Sequence, residues 1–187
     1  MIFYLVRHGQ TDWNNEKRFQ GHRDIPMNDA GIKQINELAD KIAHKGIVFD
    51  RIIVSPLDRA GKTAGIIAEK TGFSGEIIID DDLIERDCGL LEGTVWNAEL
   101  DLKDPKHKME TIPELCARAE RMLERYGFRE EEKVLLVSHG AILTAMRTVL
   151  SGYKIDYSDR SVPVIQGNML CCKKVGGESE FYNVFEG

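Results

Sequence analysis

The chain predicts an α/β fold, a three-layer sandwich with a mainly parallel sheet, helices on both faces and a C-terminal antiparallel hairpin. Three observations predict it. Short apolar runs alternate with amphipathic stretches over most of the 187 residues, the pattern of βα units whose crossovers cover both faces of a sheet. Several of these runs empty into polar residues with glycine or proline, as buried strands do where they end. The tail then changes character, with two strand-like segments joined across Gly176-Gly177.

Residues 2–6 read as the first strand. Residues 28–45 read as a helix because Ile32, Ile35, Leu38, Ala39 and Ile42 recur at three and four, with Asn28 as cap and Gly46 as stop. Arg51 to Val54 is a second strand ending at Ser55-Pro56, and 57–71 is a helix closed by Gly72. Glu76 to Ile79 is a third strand, and 80–93 is a charged, glycine-marked loop in which Asp80, Asp81, Asp82 and Asp87 read as solvated. A short helix near 94–101 is expected, with Pro105 as an interruption. Residues 112–126 form a helix with Leu115, Ala119, Met122 and Leu123 on one face and Pro113 in its first turn. Strand 133–137, helix 141–151 and strands 168–175 and 180–185 complete the order. No repeat, low-complexity stretch or linker divides the chain, so one domain over 1–187 is expected.

Composition narrows the function classes. A net charge of −6 argues against nucleic acid, which needs a basic face. It does not argue against a phosphate ester, because a local arginine cluster can outweigh a distant acidic surface. Cys88, Cys116, Cys171 and Cys172 show no CxxC spacing, and adjacent Cys171 and Cys172 would point to opposite faces of a strand. Reduced thiols in a cytoplasmic protein are expected. The first residues run straight into a strand, so no signal peptide is expected, and no apolar run approaches the ~20 residues of a membrane span.

Chemistry concentrates at two strand ends. The run Ile2 to Val6 leads into Arg7-His8-Gly9-Gln10-Thr11-Asp12-Trp13-Asn14, and Val134 to Val137 leads into Ser138-His139-Gly140. In an open α/β sheet, ligands bind where the carboxyl ends of parallel strands emerge. If the two strands are neighbours, both imidazoles and the Arg7 guanidinium meet in one crevice, which suits a dianionic phosphoryl group. A lone histidine at a strand end is more often a cap or core residue. Arg7, Gly9, Thr11 and Asn14 at fixed offsets around His8 shift that balance. Gly9 is expected to let a ligand approach the backbone. His22, His44 and His107 are expected at the surface, with His22 a candidate for contact with substrate.

Arg7-His8-Gly9-Gln10-Thr11 with Asn14 resembles the signature of the histidine phosphatase superfamily, which includes the cofactor-dependent phosphoglycerate mutases and many small phosphatases. Four further blocks follow in the family order. They are Gly21-His22-Arg23-Asp24-Ile25-Pro26 with Gly31, Gln34 and Leu38; Ser55-Pro56-Leu57-Asp58-Arg59-Ala60 with Thr63-Ala64; Leu83-Ile84-Glu85-Arg86 with Gly89, Glu92 and Gly93; and Val137-Ser138-His139-Gly140. The resemblance implies a phosphoglycerate mutase-like sandwich and assigns roles. His8 would be the nucleophile that becomes phosphohistidine. Arg7, Arg59 and His139 would complete the phosphate pocket, Asn14 assisting and a cationic His139 binding the transferring oxygens. Glu85 would be general acid and then base, a choice resting on the family pattern and not on spacing. Gln20, Gly21 and Thr11 would lie near the substrate. No metal or organic cofactor is implied, and the expected partner is a small phosphomonoester, with no nucleic acid or membrane.

The chain also departs from the family. Lys108-Met109-Glu110-Thr111 matches only the Glu-Thr half of the expected variable-loop pattern. Cys88 stands where an aromatic is common, and Leu91 replaces a frequent tryptophan. Gly176-Gly177-Glu178-Ser179 imitates a family motif but falls in the terminal hairpin, where it reads as a turn. A short middle and an end at the hairpin favour hydrolysis of a small phosphorylated metabolite over phosphoglycerate mutase activity, which needs the phosphoenzyme shielded from water. Glu85-Arg86 keeps the mutase as the alternative. Complete retention of His8, Arg7, Arg59, Glu85 and His139 disfavours an inactive regulatory module, and no carboxylate stands at metal-ligand spacing beside the two histidines.

Overall fold

A computed structural model describes residues 1–185. Six strands form one sheet in the order β3-β2-β4-β1-β5-β6. They are β1 (Ile2–Arg7), β2 (Arg51–Val54), β3 (Ile77–Ile79), β4 (Lys133–Ser138), β5 (Met169–Val175) and β6 (Glu178–Asn183). The first four are mutually parallel, and β5 and β6 add an antiparallel edge. β1 and β4, whose apolar positions Phe3 to Val6 and Val134 to Val137 are all buried, are the central pair, as burial on both faces requires. β6, whose residues alternate between exposed and half-buried, takes the edge.

Alternation along the strands feeds two cores. Tyr4, Val6, Leu135, Val137 and Cys171 face α2 (Asp29–His44) and α3 (Asp58–Thr71), against Ile35, Leu38, Ile42 and Ile67. Phe3, Leu5, Val134, Leu136 and Cys172 face α4 (Ile112–Arg125) and α5 (Gly140–Leu150), against Leu115, Met122, Ile142 and Met146. Cys171 and Cys172 fall on opposite faces, as expected of adjacent strand residues. The layers make the predicted sandwich. Because β1 hands the chain towards α2 on one face and β4 hands it to α5 on the other, a crevice opens between them at their carboxyl ends.

Local signals place the helix ends. The Asn28 side chain accepts from Gly31 N at 2.9 Å, Gly72 closes α3 with φ 67°, and Thr111 with Glu114 forms a capping box at α4. The hairpin turns on Gly176 and Gly177, with φ 58° and 85°. No described helix is long and apolar enough to cross a membrane.

Four expectations fail. Residues 94–101 form no helix; Val95 pairs instead in an isolated antiparallel bridge with Arg18. Pro105 does not interrupt but begins a 3₁₀ turn, Pro105–His107, capped by Asp104. His107 is buried, not superficial, because the turn at Gly89 packs on it; a Cβ at Gly89 would stand 2.2 Å from the His107 carbonyl oxygen. The acidic run is not simply solvated. Asp80 and Asp82 are buried and paired with α4, through Arg125 to both and Arg121 to Asp82. A four-residue helix, α1 (Asp12–Asn15), also forms in a stretch with no apolar periodicity to announce it.

Candidate active site

The register of the central strands sets Arg7 opposite Ser138, so the next residues of each chain segment, His8 and His139, leave the sheet side by side. His8 N donates to Ser138 O at 2.9 Å, closing the ladder one step beyond β1. The two rings meet with centroids 5.0 Å apart and planes at 57°. Both are buried.

His8 Nδ1 lies 2.8 Å from the carbonyl oxygen of Gly9. A carbonyl only accepts, so Nδ1 carries the proton and Nε2 keeps its lone pair. Burial, then the charges of Arg7 and Arg59, push the imidazole down to about 3. His8 is therefore a neutral imidazole of fixed tautomer over the physiological range. Gln166 Nε2 secures the backbone by donating to His8 O at 2.8 Å, and it also reaches Asn14 Oδ1 at 3.2 Å.

His139 differs from expectation. Burial, with the neighbouring His8, Arg59 and Arg7, holds it well below the ordinary imidazole range. It is a neutral group here, not a cation, because burial and the positive charges beside it both disfavour protonation. Its Nε2 lies 2.6 Å from Ser55 Oγ.

Arg7 lies against the first residue of α5. A Cβ at Gly140 would stand 3.4 Å from the Arg7 guanidinium carbon, an ordinary contact distance. Arg59, fully buried on α3, donates to the carbonyls of Arg23 and Gly21, each at 2.9 Å, and stands 3.7 Å from Asp24. It lies behind the cavity wall, and its charge acts on both histidines. Glu85 rests on the amino end of α5. Its Oε1 accepts from Arg86 N at 2.8 Å, Ala141 N at 3.1 Å and Ile142 N at 3.3 Å.

A cavity of about 500 Å³ opens above these groups, with Arg7, His8, Asn14, Gln20, Glu85 and Gln166 among its lining residues. Thr11 and Gly21, expected beside the substrate, are buried and do not line it. The Thr11 hydroxyl caps α1 and donates to Gln20 Oε1 at 2.8 Å, while the Gly21 carbonyl holds Arg59. Gly9 also has a different purpose from the expected one. A Cβ there would lie 2.6 Å from Gly31 O and 2.8 Å from Ile35, so packing on α2 demands glycine, not ligand approach. His22 is exposed and its Nε2 meets Glu85 O at 2.9 Å; His44 is exposed on α2.

Seven buried side-chain polar atoms lack a partner among the described residues, and four belong to this site: Arg7 Nε, Arg59 Nε, Gln20 Nε2 and His139 Nδ1. Unpaired buried donors are costly, and a cluster of them points to a ligand. Two residues were not expected. Gln166 lies in a stretch without a motif, and nothing in its neighbourhood marks it. Ser55 stood in view just past the end of β2, where the register sets it level with Ser138, one residue before His139, which is the signal that finds it. Among the described residues no group of three or more His, Cys, Asp and Glu side chains is arranged to hold a metal ion.

A doubly covered α/β sheet with paired histidines and buried arginines at its switch point defines a phosphoryl-binding class of protein. The chain belongs to the histidine phosphatase superfamily, whose branch 1 profile matches residues 3–166. It is 40% identical over 152 residues to an uncharacterized phosphatase, PhoE, of Bacillus subtilis, spanning 79% of this chain and 76% of the relative. It is 35% identical over 167 residues to the 2,3-bisphosphoglycerate-dependent phosphoglycerate mutase of Allorhizobium ampelinum, spanning 78% and 77%. Among solved structures it resembles a mycobacterial glucosyl-3-phosphoglycerate phosphatase in complex with VO3, with TM-score 0.78 and 22% identity over 97% of this chain and 96% of that one. The last likeness concerns the fold, and it agrees with the predicted sandwich.

Proposed function

We propose that the protein hydrolyses a small phosphomonoester through a phosphohistidine at His8. The observation that carries this reading is the cluster of unpartnered buried donors around a nucleophile of fixed tautomer. A phosphoryl dianion spreads charge over three equatorial oxygens. Arg7, Gln20 and His139 supply donors for them, with Asn14 assisting, and Arg59 adds its positive charge from behind the wall. Nε2 of His8 attacks phosphorus, the P–O ester bond breaks, and the leaving oxygen takes a proton from the Glu85 carboxyl. Glu85 then takes a proton from water as that water displaces His8 Nε2, releasing phosphate. The dianion draws a proton onto His139 only when bound. Acid–base help of the kind assigned to Glu85 contributes roughly 10²–10⁴-fold. No metal or organic cofactor enters any step, and the reaction needs neither nucleic acid nor membrane. The names of its relatives support a phosphomonoester as substrate, and reduced, buried cysteines support a cytoplasmic setting.

Phosphate release from a panel of phosphorylated metabolites and aryl phosphates, in chelator, tests the reading. The wild type releases phosphate and His8→Ala does not, with unchanged circular dichroism. Equal release by both proteins would end it. Conversion of one phosphoglycerate isomer into the other without free phosphate would replace hydrolysis by the mutase reaction.

A further inference from the structure

The geometry points to an aromatic leaving group on the substrate, stacked against a wall built from Trp96 and Phe19, with Trp96 as a specificity-determining residue. This inference rests on the phosphomonoesterase reading and adds the chemistry of the other half of the substrate.

The wall is a product of backbone pairing. Arg18 and Val95 form an antiparallel bridge. Phe19 N donates to Thr94 O at 2.9 Å, Gly93 N to Phe19 O at 2.9 Å and Trp96 N to Lys17 O at 2.8 Å. Lys17 closes α1 with φ 55°, the left-handed conformation of a helix end, and so turns the chain into this short ladder. Arg18, which lines the same cavity as Phe19, is held by Glu16 and the carbonyl of Gly93. The backbone that carries Trp96 is therefore fixed, while 52% of the residue is exposed. A large aromatic ring held in place but left half in water has apolar area to give to a ligand.

Trp96 and Phe19 share one cavity with His8. Leu102, Met109 and Cys88 continue the apolar lining. Burial pushes the Cys88 thiol up to about 12, so it stays neutral and acts as a small hydrophobe. The cavity, at about 500 Å³, is far larger than a phosphoryl group and falls in the range of roughly 300–1,000 Å³ that accommodates ring-bearing ligands. The lining thus combines the donors around His8 with an aromatic and thioether surface, and Lys17, Arg18 and Arg86 add positive charge to the same cavity. A substrate with a dianion at one end and a flat apolar body at the other matches both.

The test compares 1-naphthyl phosphate with glycerol phosphate as substrates of the wild type, Trp96→Ala and Trp96→Phe. The wild type favours the naphthyl ester in kcat/KM. Trp96→Ala lowers the naphthyl-to-glycerol ratio by about tenfold, the size of one good aromatic contact, and Trp96→Phe restores most of it. A wild-type preference for glycerol phosphate, or a ratio unchanged by Trp96→Ala, would overturn the inference. If the wild type cleaves neither ester, the hydrolase reading falls on its own, and calorimetry of 1-naphthyl phosphate and orthophosphate still decides the wall. The wall stands if Trp96→Ala weakens naphthyl phosphate at least tenfold more than orthophosphate, and falls if both weaken alike.

Discussion

Two regions of this molecule gather arginines, and they differ in one respect. On α4, Arg118, Arg121 and Arg125 are matched by carboxylates. Arg118 grips Glu110 through two contacts of 2.6 and 2.8 Å, Arg121 meets Asp82 at 2.7 Å, and Arg125 spans Asp80 and Asp82. Near the two neutral histidines, Arg59 is satisfied only in part, by the carbonyls of Arg23 and Gly21 and by Asp24, with its Nε unpartnered, and Arg7 has no hydrogen-bond or ion-pair partner among the described residues. The paired cluster fastens structure. Arg118 also donates to the carbonyls of Asp82, Ile84 and Glu85, and so holds the loop that presents the Glu85 carboxyl to α5. The incompletely satisfied pair belongs to the proposed phosphoryl site. Saturation of hydrogen bonds, not charge, separates a brace from a pocket.

The contrast is sharpest in Arg7→Met and Arg118→Met. Arg7→Met should lower kcat/KM by about 10²–10³-fold, as loss of one preorganised donor does, without lowering the melting temperature. Arg118→Met should instead cost about 3–5 kcal/mol of stability, since it strands Glu110 in a largely buried pair. Denaturant unfolding and steady-state kinetics of both variants check this, and reversed effects would erase the distinction.

Orthophosphate offers a second comparison. At 100 times its dissociation constant it should stabilise the wild type by about 2.7 kcal/mol, and Arg7→Met far less at that concentration. Thermal shift measurements report it, and equal shifts would place the anion elsewhere.

Acid should act on the pocket. His8 and His139 bind protons less readily folded than unfolded. The unfolded chain takes them up from about pH 6.5 downward, so stability present above that pH is lost as pH falls towards 3. Urea midpoints at pH 7 and 5 should fall for the wild type and fall less for His8→Phe. The smallest effect belongs to Arg121→Met. Its side chain is 55% exposed, so the loss should stay within about 1 kcal/mol.

Much of this was legible in the chain. Continuous apolar runs before His8 and His139 marked both central strands, and their adjacency brought the rings together. Glu85 was not legible from spacing, because its partners are backbone amides of α5, more than fifty residues on. The acidic run misled for the same reason. Its partners lie on α4, although Arg118, Arg121 and Arg125 at three and four were a visible helical face. Gly9 was read as space for a ligand when it is space for α2, a distinction that only packing makes. The stretch 94–111 has no period to read, since isolated bridges and short turns order it.

The phosphoryl group on its acceptor tests the central claim most directly. Rapid quench of the wild type with an aryl phosphate, followed by peptide mass spectrometry under alkaline conditions, should find one acid-labile phosphoryl group on His8 and none in His8→Ala. Turnover with that group on another residue, or with no phosphoenzyme and the label of isotopic water entering phosphate in a single displacement, would contradict the account.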